Sequence, residues 1–544
     1  MPHDTQVLIV GARSTGLTLA CVLARHGVPV RVIDKSPAPL TSSRAKGFQP
    51  RTLEVFEDLG MLDTVLALGR TDVPMRDYES GRVGLDFWTR RTHRPRPGVP
   101  YPNQLTIATP PVEQALRETL AASGITVEHG RELVRLEQDS DGVTAWTATD
   151  TEPIRAAYLV GCDGGGSTVR RELGLRFDVT TVPGMAHLAG DVQVTGLDRS
   201  HARMWVRDGW IVALTPLPSS QYWQFQATIP ADPDGGFPEP SLELFQQLLT
   251  ERCPMPGIRL HDCTWASRYR DNHGMVDRHR VGRVFVAGDA AHIHSPAGGL
   301  GANTGIQDAY NLGWKLGLVC TGNASATLLD TYHEERHEIA RELMAANQAA
   351  SKLLVPHPGR ANRLLRKHIL LPLTNVYGVA DRMLRFVDQL AINYRGQSLS
   401  QNRPARPRRG PAAGDRAPDA TLPDAVTGLP VRLFDIYRGP TCTLLAFGAD
   451  QTDTAVRIAG AYPNLIRACS IVPPDTGTPD RVRTLIDPRG QTAALYGVGP
   501  QALVLIRPDG YIGFHADPAD PTALQSYLDH TLGLIATVPT GATD

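Results

Sequence analysis

Residues 288–314 read GDAAHIHSPAGGLGANTGIQDAYNLGW, directly after the apolar run VFVA at 284–287. A short β-branched run that feeds Gly-Asp reads as a buried strand delivering a carboxylate, Asp289, to its carboxyl end. There the acid is placed to accept hydrogen bonds from sugar-type hydroxyls. Gly288, Pro296, Gly298, Gly299 and Gly301 then keep side chains away from a bulky planar or anionic group. A helix is predicted to begin near Asn303, so the N–H groups around Gly301, Ala302 and Asn303 would lack helical acceptors and favour negative charge. The stretch therefore points to a nucleotide-like cofactor held deep in an α/β domain.

The amino-terminal segment supplies the other end of such a site. An apolar run at 7–10 is followed by Gly11-Ala12-Arg13-Ser14-Thr15-Gly16, helical spacing over 17–26 and a second apolar run at 28–33 closed by Asp34 and Lys35. A βαβ unit with a glycine turn and a terminal acid some twenty residues on is the dinucleotide-binding arrangement, in which the acid holds a ribose hydroxyl. Arg13 stands where the middle glycine of the usual pattern would be. It adds bulk, and also a cation beside two phosphates. A third segment, YLVGCDGGGSTVR at 158–170, repeats the strand-to-glycine theme and carries Asp163-Gly164.

These three ordered motifs, with Arg44 in SSRAKG at 42–47, resemble the flavin-dependent aromatic hydroxylases, single-component FAD monooxygenases similar to p-hydroxybenzoate hydroxylase, in the long form found among polyketide-tailoring oxygenases. The resemblance covers essentially the whole chain. It implies a Rossmann-like α/β FAD-binding domain built from residues 1–71, 105–181 and 277–394. A substrate-binding antiparallel-sheet domain (72–104 and 182–276) would be inserted in it, followed by a linker (395–421) and a C-terminal thioredoxin-like domain (422–544). That last domain has no CxxC pair, so a structural or dimer-stabilising part is expected of it.

The resemblance further implies that FAD, reduced by NAD(P)H as a transient co-substrate, passes an oxygen atom from O2 to an electron-rich ring; the protein would supply binding and electrostatics. Asp289 would hold the ribityl chain, Asp163 the pyrophosphate–ribityl region and Arg44 a phosphate or the adenine. Pro296 would lie beside the flavin ring, and Thr109 stands where relatives often carry a flavin-contacting glutamine. Trp205, Trp210, Trp223 and Phe225 are candidates for an aromatic pocket, with plain core as the rival reading. Substrate identity is beyond the sequence, and no catalytic acid or base is named. The alternative to oxygenation is a non-redox cyclase that keeps FAD as a structural element.

Composition agrees with a small-molecule enzyme. The chain has 544 residues, 42% hydrophobic, with Lys+Arg 55 against Asp+Glu 56, so neither nucleic acid nor an anionic membrane is an expected partner. No basic leader with an apolar core and no membrane-length apolar run is visible. Seven scattered cysteines favour a reduced cytoplasmic setting. His292 and His294 make an HxH pair with no third ligand nearby, so no metal is expected. A monomer or homodimer is expected. Proline and arginine crowd residues 403–411, which reads as a solvated linker.

Overall fold

The computed structural model describes residues 3–79, 82–86, 95–207, 210–232, 234–293, 299–354, 387–403, 410–474, 476 and 481–536. Pro296, Gly298 and His294 lie outside the described residues, as does most of the Pro/Arg run, 404–409.

The first sheet has the order expected of a doubly wound nucleotide-binding fold. The strands Thr5–Val10, Val30–Asp34, Ile154–Gly161 and Val284–Val286 run parallel, with Thr5–Val10 between Ile154–Gly161 and Val30–Asp34. All three motifs thus leave the sheet at the same carboxyl edge, because parallel strands place their exits side by side. Val7, Leu8, Ile9, Val160, Val284 and Val286 have no exposed surface, as strands covered on both faces should. The helix Ser14–Arg25 packs against the helix Gly301–Cys320. A Cβ on Gly305 would stand 2.4 Å from Thr15 Oγ1, so the contact requires glycine. Two short helices follow, Pro50–Asp58 and Leu62–Leu68, separated at Gly60, whose φ is 78°.

The second sheet is antiparallel apart from one pair and is built round two long strands, Phe177–Thr195 and Arg259–Val276. Their lengths carry the chain from the first sheet to the second without a break. The hairpin strands Met75–Glu79 and Arg82–Asp86 join its far edge, the first of them pairing parallel with Ala202–Arg207, so residues from 72–104 share a layer with 182–276. One face is covered by the helix Leu242–Arg252, which buries Phe245, Leu248 and Leu249.

A third, six-stranded sheet, with Cys442–Phe447 near its centre, forms the C-terminal part. Part of the expected linker is packed structure. Gln401–Arg403 is an edge strand of this sheet, and Leu399, Ala413 and Ala417 are buried. The small apolar residues interleaved with the polar ones decide this, while composition averaged over the window concealed them. Cys442 is buried, and burial pushes its thiol up to about 12, as expected of an inert cysteine.

Candidate cofactor and substrate site

At the glycine turn, Gly11 has φ 105° and leaves no room for a Cβ, which would stand 2.3 Å from Cys162 O. Arg13 is different: its φ of −90° and ψ of −175° are extended backbone open to any residue. Its Nε donates to Glu113 Oε1 at 2.8 Å, and the same oxygen accepts from Ser14 N (3.1 Å) and Ser14 Oγ (3.0 Å). Glu113, from the helix Thr109–Ala121, is only 1% exposed. Nothing in the sequence links it to a residue a hundred positions earlier, and the motif reading passed over it.

Arg44 is exposed but stands within electrostatic reach of Arg13, Glu113 and Asp289. Packing around it and the nearby Arg13 cation lower its pKa, against the pull of the two acids. Two guanidinium groups converging on one edge are a disfavoured arrangement that an anion between them would relieve. Asp289, exposed on the turn Gly288–Ala290, carries no hydrogen bond to any described residue and is open to a ligand.

The helix Gly301–Cys320 begins after Leu300 without a side-chain cap, and its first internal bond runs from Thr304 N to Leu300 O. The amides of Gly301, Ala302 and Asn303 therefore have no helical acceptor and form the electropositive end the sequence predicted. Asn303 itself is used internally. It accepts from Gln49 N and Thr52 Oγ1 and donates to Gly47 O and Gly299 O, tying the helix start to the end of SSRAKG. Gly299 takes φ 64°, which favours glycine. At the strand end, Gly288 N donates to Asp308 Oδ2 (3.0 Å), which also meets His292 Nε2 (2.6 Å), while Arg336 Nε holds Asp308 Oδ1 (2.7 Å). Burial alone would raise the Asp308 pKa, but His292 and Arg336 hold it well below the usual carboxylate range. His292 thus belongs to the buried hydrogen-bonded cluster around Asp308. Among the described residues no group of three or more His, Cys, Asp or Glu is placed to hold a metal ion.

Two acids expected at the ligand hold their own loops in this structure. Asp34 accepts from Ala12 N (2.7 Å) and Ser36 N (2.8 Å), with Lys35 exposed beside it. Asp163 accepts from Ser167 Oγ, Thr168 N and Val169 N, shaping the glycine loop. Arg170 then fastens that loop to the Gly-Asp segment through Gly165 O and Ala290 O. Thr109 exchanges two hydrogen bonds with the backbone of Ala45 and is 3% exposed, so it positions SSRAKG.

The aromatic residues named for the pocket belong elsewhere. Trp205, Trp223 and Phe225 are at most 1% exposed, in the cluster under the helix Leu242–Arg252. Phe225 stacks on Phe245 at 4.3 Å, and Trp210 lies near Arg252 of the same helix. The alternation was legible; which face the helix would cover was not, and the bulkier apolar set took it. The opposite face carries Ala189, Asp191, Ala213, Thr215, Gln224 and Gln226, placed together by the strand register. SSRAKG lies against this face. Ser43 donates its N–H (3.0 Å) and its hydroxyl to Asp191, Gln224 Nε2 donates to Ser43, and Lys46 Nζ donates to Gln226 Oε1 at 2.7 Å.

Comparison with known proteins agrees with this geometry. Residues 4–347 match the family model described as FAD binding domain, and residues 410–534 match aromatic-ring hydroxylase, C-terminal. A flavin-dependent monooxygenase of Mycobacteroides abscessus is 38% identical over 93% of this chain and 96% of its own length. The 6-methylpretetramide 4-monooxygenase of Streptomyces rimosus is 34% identical over 96% of this chain and 93% of its own. The solved structure of the OxyS anhydrotetracycline hydroxylase from Streptomyces rimosus superposes with a TM-score of 0.76, at 28% identity over 97% of this chain and 99% of that one. The chain belongs to the FAD-dependent aromatic-ring hydroxylases, and it is an FAD-dependent monooxygenase.

Proposed function

We propose that this monooxygenase hydroxylates a large, electron-rich aromatic of the polyketide type, with NAD(P)H and O2 as co-substrates. The observation that carries this reading is the polar sheet face at SSRAKG, next to the uncapped start of the helix Gly301–Cys320: an oxygen-rich planar ligand could lie on the one while the flavin meets the other. Whole-length relatives include enzymes named for 6-methylpretetramide and for anhydrotetracycline. A non-redox cyclase is the less favoured alternative, because those relatives are oxygenases.

The residues present fit FAD. Arg13 and Arg44 would flank the pyrophosphate, Asp34 would share a ribose hydroxyl, and Asp289 would hold the ribityl hydroxyls. The free amides at Gly301–Asn303 would take the negative charge that grows at the pyrimidine edge on reduction. When bound, the flavin supplies the electron storage and oxygen activation. The test is a visible spectrum of the purified protein followed by anaerobic NADPH with a panel of polycyclic phenols. Bound FAD that bleaches, faster with a ligand present, is the expected result; bound FAD that stays oxidised with every ligand would transfer the assignment to the cyclase.

A further inference from the structure

Lys46 is a lysine with too few partners for its place. It stands in SSRAKG, one residue before Gly47, whose carbonyl is held by Asn303 at the start of the helix Gly301–Cys320. Its side chain reaches across to the sheet, and among the described residues its single hydrogen bond goes to the neutral Gln226 Oε1. The charged group opposite is Asp191, already engaged by the backbone and hydroxyl of Ser43. An ammonium has three N–H donors, and half-buried Lys46, with one neutral acceptor, has donors left for an anionic partner. Withdrawal from water pushes the Lys46 pKa down to about 8, with Asp191 opposing. Beside it, Gln224 Oε1 and Thr215 Oγ1 are buried with no hydrogen-bond partner among the described residues. Gln224 and Thr215 are cross-strand neighbours, and Gln224 also pairs with Asp191. One face therefore presents an under-used cation, an open acceptor and an open hydroxyl.

Resting on the hydroxylase reading, we infer that Lys46 receives the ionised phenolic or enolic oxygen of the aromatic substrate, while Gln224 Oε1 and Thr215 Oγ1 engage a neighbouring hydroxyl. The substrate binds as its monoanion and its proton leaves to solvent. A phenol suits this place better than a carboxylate. Its pKa, about 10 for a simple phenol, is one a neighbouring ammonium can bring into the neutral range, and a polyphenol carries the adjacent O–H that Gln224 needs. Negative charge on the ring oxygen also enriches the ring in electrons, which oxygen transfer demands. Lys46 is then a specificity-determining residue, selecting acidic hydroxyls.

The test uses the FAD-loaded protein and alizarin, a dihydroxylated anthraquinone whose visible colour reports its ionisation, without NADPH or turnover. The wild-type protein is expected to bind the coloured monoanion and to lower the apparent pKa of the probe by one unit or more. Lys46→Met should bind the anion about tenfold more weakly than wild type, following the one-unit, tenfold equivalence, and leave the bound probe neutral, while Lys46→Arg should restore the anion. An unchanged flavin spectrum in both variants shows that the cofactor site survives. A wild-type protein that binds alizarin neutral, or not at all up to its solubility limit, overturns the inference. So does Lys46→Met binding the anion as well as wild type, or a stronger Lys46 dependence for naphthoate, which has a carboxylate and no hydroxyl. Bleaching by NADPH is scored separately, so failure here leaves the oxygenase reading to its own experiment.

Discussion

Arg13 shows how one residue can depart from a motif without disturbing its fold. The middle position of the glycine turn has extended backbone here, so glycine's conformational freedom is not needed. What glycine usually supplies there is closeness to the pyrophosphate, and an arginine can replace closeness with charge. Glu113 holds the guanidinium by its Nε. Arg13→Gly is therefore expected to fold normally and to weaken FAD binding about tenfold at low salt. The gap should narrow as salt screens a partly exposed charge. Titration of apo-protein with FAD at two ionic strengths checks this, and equal affinities at both would show the arginine to be incidental. The sequence disclosed Arg13 but not Glu113, because a motif is read along the chain and its counterion came from another helix. Asp34 and Asp163 teach the converse: their positions were legible, while the loop amides they hold were not.

Among the elements, the helix Gly301–Cys320 links two distant parts. Its first turn faces the cofactor edge, and its later turns grip the C-terminal turn Arg507–Gly510. Arg507 pairs with Glu335 and Asp509, Lys315 pairs with Glu335, and Asp509 accepts from Trp314 Nε1 and Asn311 Nδ2, all fully or almost fully buried. Arg51, on the helix Pro50–Asp58, donates to Asp509 O. Arg-Pro-Asp-Gly at 507–510 is a turn sequence; its insertion between helices of the first domain is not legible, since a buried charge network has no signature in local composition. Removing one member leaves uncompensated charge in the interior, worth about 3–5 kcal/mol. Arg507→Met is expected to lower the thermal midpoint and to release FAD in the same transition, followed by flavin fluorescence on heating. Cofactor release well after a separate first unfolding step would show that the C-terminal part is not coupled to the helix.

For the whole molecule, one interior cluster contributes to acid sensitivity. His279 has no exposed surface and no partner among the described residues for either ring nitrogen, with the rings of His292 and His333 tilted against it and that of His337 edge-on. Burial, then the neighbouring histidines, lower its pKa well below the ordinary value of 6.5. The unfolded chain therefore binds a proton there that the folded chain refuses. That stabilising difference is full above about pH 6.5 and fades as pH falls below it. His279→Leu should flatten the decline of thermal midpoint between pH 7 and pH 5; an unchanged slope would place the acid sensitivity elsewhere. The fold class and the three motif strands were legible because glycine turns and strand ends are local. The polar sheet face and the histidine cluster were not, because each is assembled by pairing across long separations. SSRAKG brings the two kinds of information together. Within five residues it touches the second sheet through Ser43 and Lys46, presents Arg44 toward Arg13 and Asp289, and at Gly47 is pinned to the start of the helix. The second sheet and the helix start are therefore linked mechanically in series, and a ligand that shifts the sheet pulls on the same short tether that reaches the proposed flavin site.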